Sequence, residues 1–151
     1  CDPSDPEAIK MAVRGKYLLK KAKHFSSLID AIADCRRVIA TCGRIDHGEI
    51  PLHQPETALP WLIESSFSEP VALVFGREDR GLTNQELLLA NKVISLNHSS
   101  SYPSLNLSHA VAIILHQFYN YRNLNMIIYF SRDTITRFGN RSSDRQALNS
   151  T

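Results

Sequence analysis

Three short apolar runs punctuate the chain, and each is closed by a glycine or a polar cluster. Arg37–Thr41 reads as a buried strand ended by Gly43. Val71–Phe75 is uninterrupted and runs straight into Gly76, the pattern of a strand covered on both faces. Residues 93–96 form a third, shorter strand. Helical signals lie around these runs. Asp5 before Pro6 predicts a capped helix to about Ala12. Gly15 interrupts, and residues 17–25 read as a basic connector with a short edge strand. Ser27-Leu28-Ile29-Asp30 resembles a capping box with Asp in place of Glu and opens a helix to about Cys35. Residues 45–55 are polar and turn-rich, and 57–65 predict a helix with Pro60 in its first turn. Thr83-Asn84-Gln85-Glu86 is a capping box for a helix to about Asn91. A last helix, apolar on most of its circumference, is expected from about Leu105 to Tyr121, with Ser104 as a candidate cap.

Alternating helices and strands predict an α/β domain: a mainly parallel sheet with helices on both faces. In such sheets ligands sit beyond the carboxyl ends of the strands. The loops at residues 41–43, 76–81 and 97–105 are therefore expected to meet at one edge. Met126–Phe130 suits an extra helix or strand, and the polar residues after it suit a mobile end. The expected organisation is one domain over 1–125 and an extension over 126–151, in part disordered.

Composition narrows the function classes. The 151 residues are 43% hydrophobic and 21% charged, in the globular range. No apolar run approaches the roughly 20 residues that span a bilayer, and no secretory leader is recognised. Cys1, Cys35 and Cys42 form an odd set without a CxxC pair, which favours a reducing, cytoplasmic setting over a disulfide framework or a zinc knuckle. The six histidines lack metal-ligand spacing, so no metal is expected. The net charge of +2 is unevenly spread. Six cations and no acid lie between Lys10 and Lys23, and five Arg against two Asp follow Asn120. Such patches suit either a phosphate backbone or a solvated surface.

Two loops carry candidate chemistry. Gly76-Arg77-Glu78-Asp79-Arg80-Gly81 has glycines five apart, but Leu82-Thr83 follows where a Walker motif needs Lys-Ser/Thr, and GxGxxG is absent. Gly76 directly after a strand suits close approach of a ligand to the backbone. Asn106 lies near a helix start, within reach of a ligand placed there.

The stretch "VALVFGREDRGLTNQEL" at 71–87 followed by "YPSLNLSHAVAI" at 102–113 resembles the second and third motifs of the SPOUT superfamily of RNA methyltransferases. The likeness is to its SpoU branch, close to the TrmJ and TrmH types, and extends back through "DAIADCRRVIATCGR" at 30–44, covering about 1–119. It implies a trefoil-knotted fold, a homodimer and S-adenosylmethionine as cofactor. The implied cofactor contacts are Thr41, Cys42, Gly43, Gly76, Leu96, Pro103, Ser104 and Leu105. The implied reaction is methyl transfer to a ribose 2′-hydroxyl of RNA, with tRNA favoured and rRNA the alternative substrate. Glu78 and Asn106 match positions near the reacting groups, and Arg77 matches a phosphate contact. Each also has a purely structural role open to it: Glu78 as partner of Arg77 or Arg80, Asn106 as a backbone anchor. The family's first motif, an amino-terminal unit with an Asn and an Arg, has no counterpart in this sequence. A catalytically inactive RNA- or cofactor-binding fragment is therefore the alternative reading.

Overall fold

Alternation along three strands decides the layering. In the computed structural model, residues 3–44, 48–64, 70–96 and 105–121 are described in full, with the strand backbones of 126–130 and 135–138. β1 (Lys23–Phe25), β2 (Arg37–Thr41), β3 (Leu52–His53), β4 (Val71–Phe75), β5 (Lys92–Ile94), β6 (Met126–Phe130) and β7 (Ile135–Phe138) form one sheet, ordered β1-β7-β6-β4-β2-β5-β3. The five strands from β6 to β3 are parallel, and β7 and β1 are added antiparallel at one end. The mainly parallel α/β sheet is thus as expected from the sequence.

Successive residues point to opposite faces. Val38, Ala40, Ala72, Val74 and Val93 pack with Leu28 and Ala31 of α3 (Leu28–Ile32) and Leu87 of α5 (Asn84–Leu88). Ile39, Val71, Leu73, Phe75 and Ile94 pack against Ala58, Leu59 and Leu62 of α4 (Pro55–Ile63), and against Ile114 and Phe118 of α6 (Leu107–Tyr119). The α3/α5 face carries the small residues and the α4/α6 face the large ones. Covering both faces is what a parallel sheet requires.

Several boundaries differ from expectation for identifiable reasons. Before β1, α1 (Pro6–Met11) starts at the Asp5 cap as predicted, but a 3-10 turn at Val13–Gly15 leads into a further helix, α2 (Lys16–Lys21), in place of the connector. Neither α1 nor α2 buries a residue, so no apolar periodicity announces α2. α4 begins at Pro55, two residues early, which puts Pro60 in its second turn, where the amide it lacks would have bonded the Glu56 carbonyl. α5 stops at Leu88 because Asn91 is drawn into the sheet: its amide donates to the Val38 carbonyl (2.9 Å) and its Oδ1 accepts from the Val38 amide (2.7 Å). β3 is only two residues long, too brief to stand out of a polar segment. α6 starts at Leu107 with Asn106 as its cap, whereas Ser104 lies outside the described residues. Most of its apolar circumference is not core, since only Ile114 and Phe118 are buried while Ile113 and Tyr119 are exposed.

Of the helix or strand expected at Met126–Phe130, the structure forms a strand. β6 pairs with β4 over its whole length, from Val71↔Met126 to Phe75↔Phe130, and β7 joins β6 to β1. Part of the expected extension therefore lies within the sheet. Removing residues 122–151 should leave the β4 edge open, and open apolar edges template association. The truncated chain is expected to elute as concentration-dependent oligomers in size-exclusion chromatography with light scattering; a monodisperse species at high concentration would contradict this role for β6.

Candidate active site

The carboxyl ends of β2, β4 and β5 lie side by side because β4 and β5 both pair with β2. The chain after β2 goes on to α4 on one face, while the chain after β4 turns to α5 on the other. A crevice opens between such strand ends. It is a cavity of about 420 Å³, within the usual range for small-molecule sites. Its walls are Thr41–Arg44 after β2, Phe75–Gly81 after β4, Ile94 and Leu96 after β5, and Leu105, Leu107, Ala110 and Ile114 at the start of α6.

Hydrogen bonds join these loops. Thr41 Oγ1 donates to the Val74 carbonyl (3.1 Å), and the Cys42 amide donates to the Ile94 carbonyl (2.9 Å). Arg44 Nη2 donates to Asn84 Oδ1, and the Arg44 stem lies over Gly81. The loop after β4 folds on itself: the Gly81 amide donates to the Arg77 carbonyl (2.8 Å), and the two residues form an antiparallel bridge. This return fixes two glycines. Gly81 has φ +69°, a conformation that side chains disfavour. A Cβ on Gly76 would lie 2.3 Å from the Gly81 carbonyl carbon and the Leu82 nitrogen. The lack of a side chain at Gly76 is thus demanded by the loop's own backbone, a different reason from ligand approach.

Two polar pairs sit in this loop. Asn106 Nδ2 donates to Glu78 Oε1 (2.7 Å), while Asn106 Oδ1 accepts from the Ser108 amide (2.9 Å) and hydroxyl (2.6 Å). One side chain therefore caps α6 and ties it to the β4 loop. Arg77 meets Asp79 by two bonds, Nε to Oδ1 (2.9 Å) and Nη2 to Oδ2 (3.0 Å). This fork geometry is the strong form of the pair. Hydrogen bonding from Arg77, aided by its charge, holds the Asp79 carboxyl below its ordinary value. A depressed carboxyl pKa means that the pair is intact above the ordinary aspartate range and is lost as pH falls through the lowered value. In a carboxyl-carbon NMR titration Asp79 should titrate below the ordinary aspartate value, and Arg77→Ala should raise it toward that value.

Of the residues singled out from sequence, Thr41, Cys42, Gly43, Gly76, Arg77, Glu78, Leu96 and Leu105 line the cavity. Asn106 adjoins it through Glu78, and Pro103 and Ser104 lie outside the described residues. Asp79, Arg80 and Gly81 are walls from the loop that the sequence placed at this edge without giving them roles, and Arg44 is a wall that it did not single out. Leu107, Ala110 and Ile114 were also missed, although their spacing of three and four marks one helix face. Among the described residues, no three His, Cys, Asp or Glu side chains gather as a metal site, and no helix is long and apolar enough to cross a membrane.

A doubly covered parallel sheet with a ligand cavity at its carboxyl edge defines the class of this domain. The family follows from comparison: the chain belongs to the SpoU rRNA Methylase family, whose model matches residues 1–116. It is 36% identical over 126 residues to the tRNA (cytidine-2'-O-)-methyltransferase TrmJ of Methanocaldococcus jannaschii, covering 81% of this chain and 54% of that protein. It is 34% identical over 113 residues to the tRNA (cytidine/uridine-2'-O-)-methyltransferase TrmJ of Citrobacter koseri, covering 75% and 46%. The crystal structure of TrmJ from Z. mobilis superimposes with a TM-score of 0.71 at 28% identity, over 80% of this chain and 53% of that one. A methylase family protein from Neisseria gonorrhoeae gives 0.71 at 30%, over 80% and 56%. The chain spans about half the length of the curated relatives it matches.

Proposed function

We propose that this domain binds S-adenosylmethionine and directs its methyl group to a ribose 2′-hydroxyl of RNA, with tRNA the substrate its relatives' names favour. The observation that carries the reading is the cavity formed where the three strand ends meet α6, with Glu78 and Asn106 bonded to each other beside it. The residues present fit the cofactor: Phe75, Ile94, Leu96, Leu105 and Ile114 offer apolar walls to a nucleoside, and residues 41–43 and 76 bring backbone groups to the rim. Pro103 and Ser104 join them by family correspondence. When bound, the cofactor supplies an electrophilic methyl group on a sulfonium.

The protein's own work is then alignment and proton removal. Asn106 fixes Glu78 through Oε1, which leaves Oε2 to accept the proton of a ribose hydroxyl. Arg77, stiffened by Asp79, offers its guanidinium to a neighbouring phosphate. The reading includes the trefoil knot around the start of α6, a homodimer and a cytoplasmic setting. Exposed Ile113 and Tyr119 of α6 are apolar surface that a second copy would cover.

Calorimetric titration with S-adenosylhomocysteine tests the reading. Saturable binding with one ligand per chain is expected, and a folded chain that shows none overturns the cofactor assignment. Binding without methyl transfer to tRNA would leave the binding-only alternative standing.

A further inference from the structure

We propose that the exposed basic segment from α1 to β1, joined in the sheet to β7, is a second docking surface for the phosphate backbone of RNA, separate from the cavity. This rests on the reading of an RNA substrate. Lys10, Arg14, Lys16, Lys20 and Lys23 are all exposed, and none makes an ion pair among the described residues. Between Lys10 and Lys23 the sequence holds no acid to neutralise them.

Local helix physics accounts for Lys10, Lys20 and Lys21, which lie in last turns, where the helix dipole favours cations, but not for Lys16. Lys16 lies in the first turn, where the dipole opposes it, and no acid shares that turn. Lys16 and Lys20 are four apart, so they face the same side and repel. Gly15 provides no side-chain cap, and a six-residue helix is marginal by itself. Val13, a β-branched residue held at φ +45°, joins α1 to α2. A polyanion laid across the segment relieves the repulsion at Lys16 and Lys20, and half-exposed Tyr17 beside them offers a ring for a base.

The sheet register links this surface to the cavity. Lys23 pairs with Arg137, so the strands bring together the two basic regions that are far apart in sequence. His24 pairs with Thr136, Thr136 with Phe130, and Phe130 with Phe75, the last residue of β4 before the cavity loop. The end of β1 and the mouth of the cavity therefore lie at the same level of the sheet. They are three strands apart, roughly 14 Å at the usual spacing. One RNA helix can span that distance, holding phosphates at one end while a ribose enters the cavity.

The test compares the wild-type chain with Lys16→Ala/Lys20→Ala/Lys23→Ala in binding unfractionated tRNA across a salt series. Loss of about three phosphate contacts should weaken binding roughly tenfold or more at low salt and reduce the slope of log affinity against log salt by about 2–3. S-adenosylhomocysteine binding should be unchanged, because the three side chains are exposed and away from the cavity, and the circular-dichroism melt should not fall, because removing Lys16 and Lys20 relieves their mutual repulsion. Unchanged tRNA affinity and slope in the variant overturn the surface while leaving the RNA reading intact. Failure of the wild-type chain to bind tRNA while it binds S-adenosylhomocysteine overturns both RNA claims. Tight binding to phosphatidylserine vesicles, lost in the variant, with tRNA affinity unaffected, would reassign the surface to a membrane.

Discussion

Gly76→Ala is expected to abolish S-adenosylhomocysteine binding and to destabilise the domain by about 3 kcal/mol, a fall of roughly 6–12 °C in melting temperature. The added Cβ would meet backbone atoms of Gly81 and Leu82 at 2.3 Å, and backbone cannot rotate aside as a side chain can. Relief requires the loop to open. Opening breaks the bond from the Gly81 amide to the Arg77 carbonyl and moves the wall that carries Arg77 and Glu78. Gly15→Ala is the matched control, because a Cβ there meets nothing within 4 Å and φ is −80°. It should change stability by less than about 1 kcal/mol and leave ligand binding intact. Normal binding by Gly76→Ala would mean that the loop has slack absent from this structure.

On the reaction proposed for this domain, Asn106→Asp is expected to reduce methyl transfer about 100-fold, the scale of a lost general base, while barely altering the melting temperature. Aspartate caps a helix as well as asparagine does, and its charge suits the helix start, so the bonds from Ser108 can persist. What it lacks is the Nδ2 donor, and it sets a second carboxylate against Glu78, which bonded that donor at 2.7 Å. The two carboxylates repel, and Glu78 leaves the position in which Asn106 held it. Asn106→Ala loses the cap too and should cost about 1 kcal/mol of stability. The aspartate variant therefore separates the two roles of one side chain. A wild-type rate in Asn106→Asp would confine Asn106 to capping.

The cavity was legible in parts. Gly76 and Asn106 stood out as a glycine after a buried strand and a polar residue opening an apolar helix, whereas Glu78 was reached only through the family resemblance of its loop. Asp79 did not stand out, because in a run of four charges nothing in the order of residues says which pair closes; the guanidinium fork closes on the acid two residues on. Arg44 was missed for a related reason. Its partner Asn84 is forty positions away, across a gap that only the adjacency of β2 and β4 closes.

The sequence by itself determined the strands β2 and β4, the capped starts of α1, α3 and α5, and the doubly covered parallel sheet. These follow from interactions within a few residues: apolar runs, N-cap side chains and proline at a first turn. Tertiary structure alone decided that Gly76 is forbidden a side chain, that β6 closes the β4 edge, and that Lys23 is paired with Arg137. Each depends on segments meeting in space, whether a loop folding back on its strand or strands more than fifty residues apart pairing side by side. Periodicity reports which face of an element is apolar; only packing chooses which neighbour covers it.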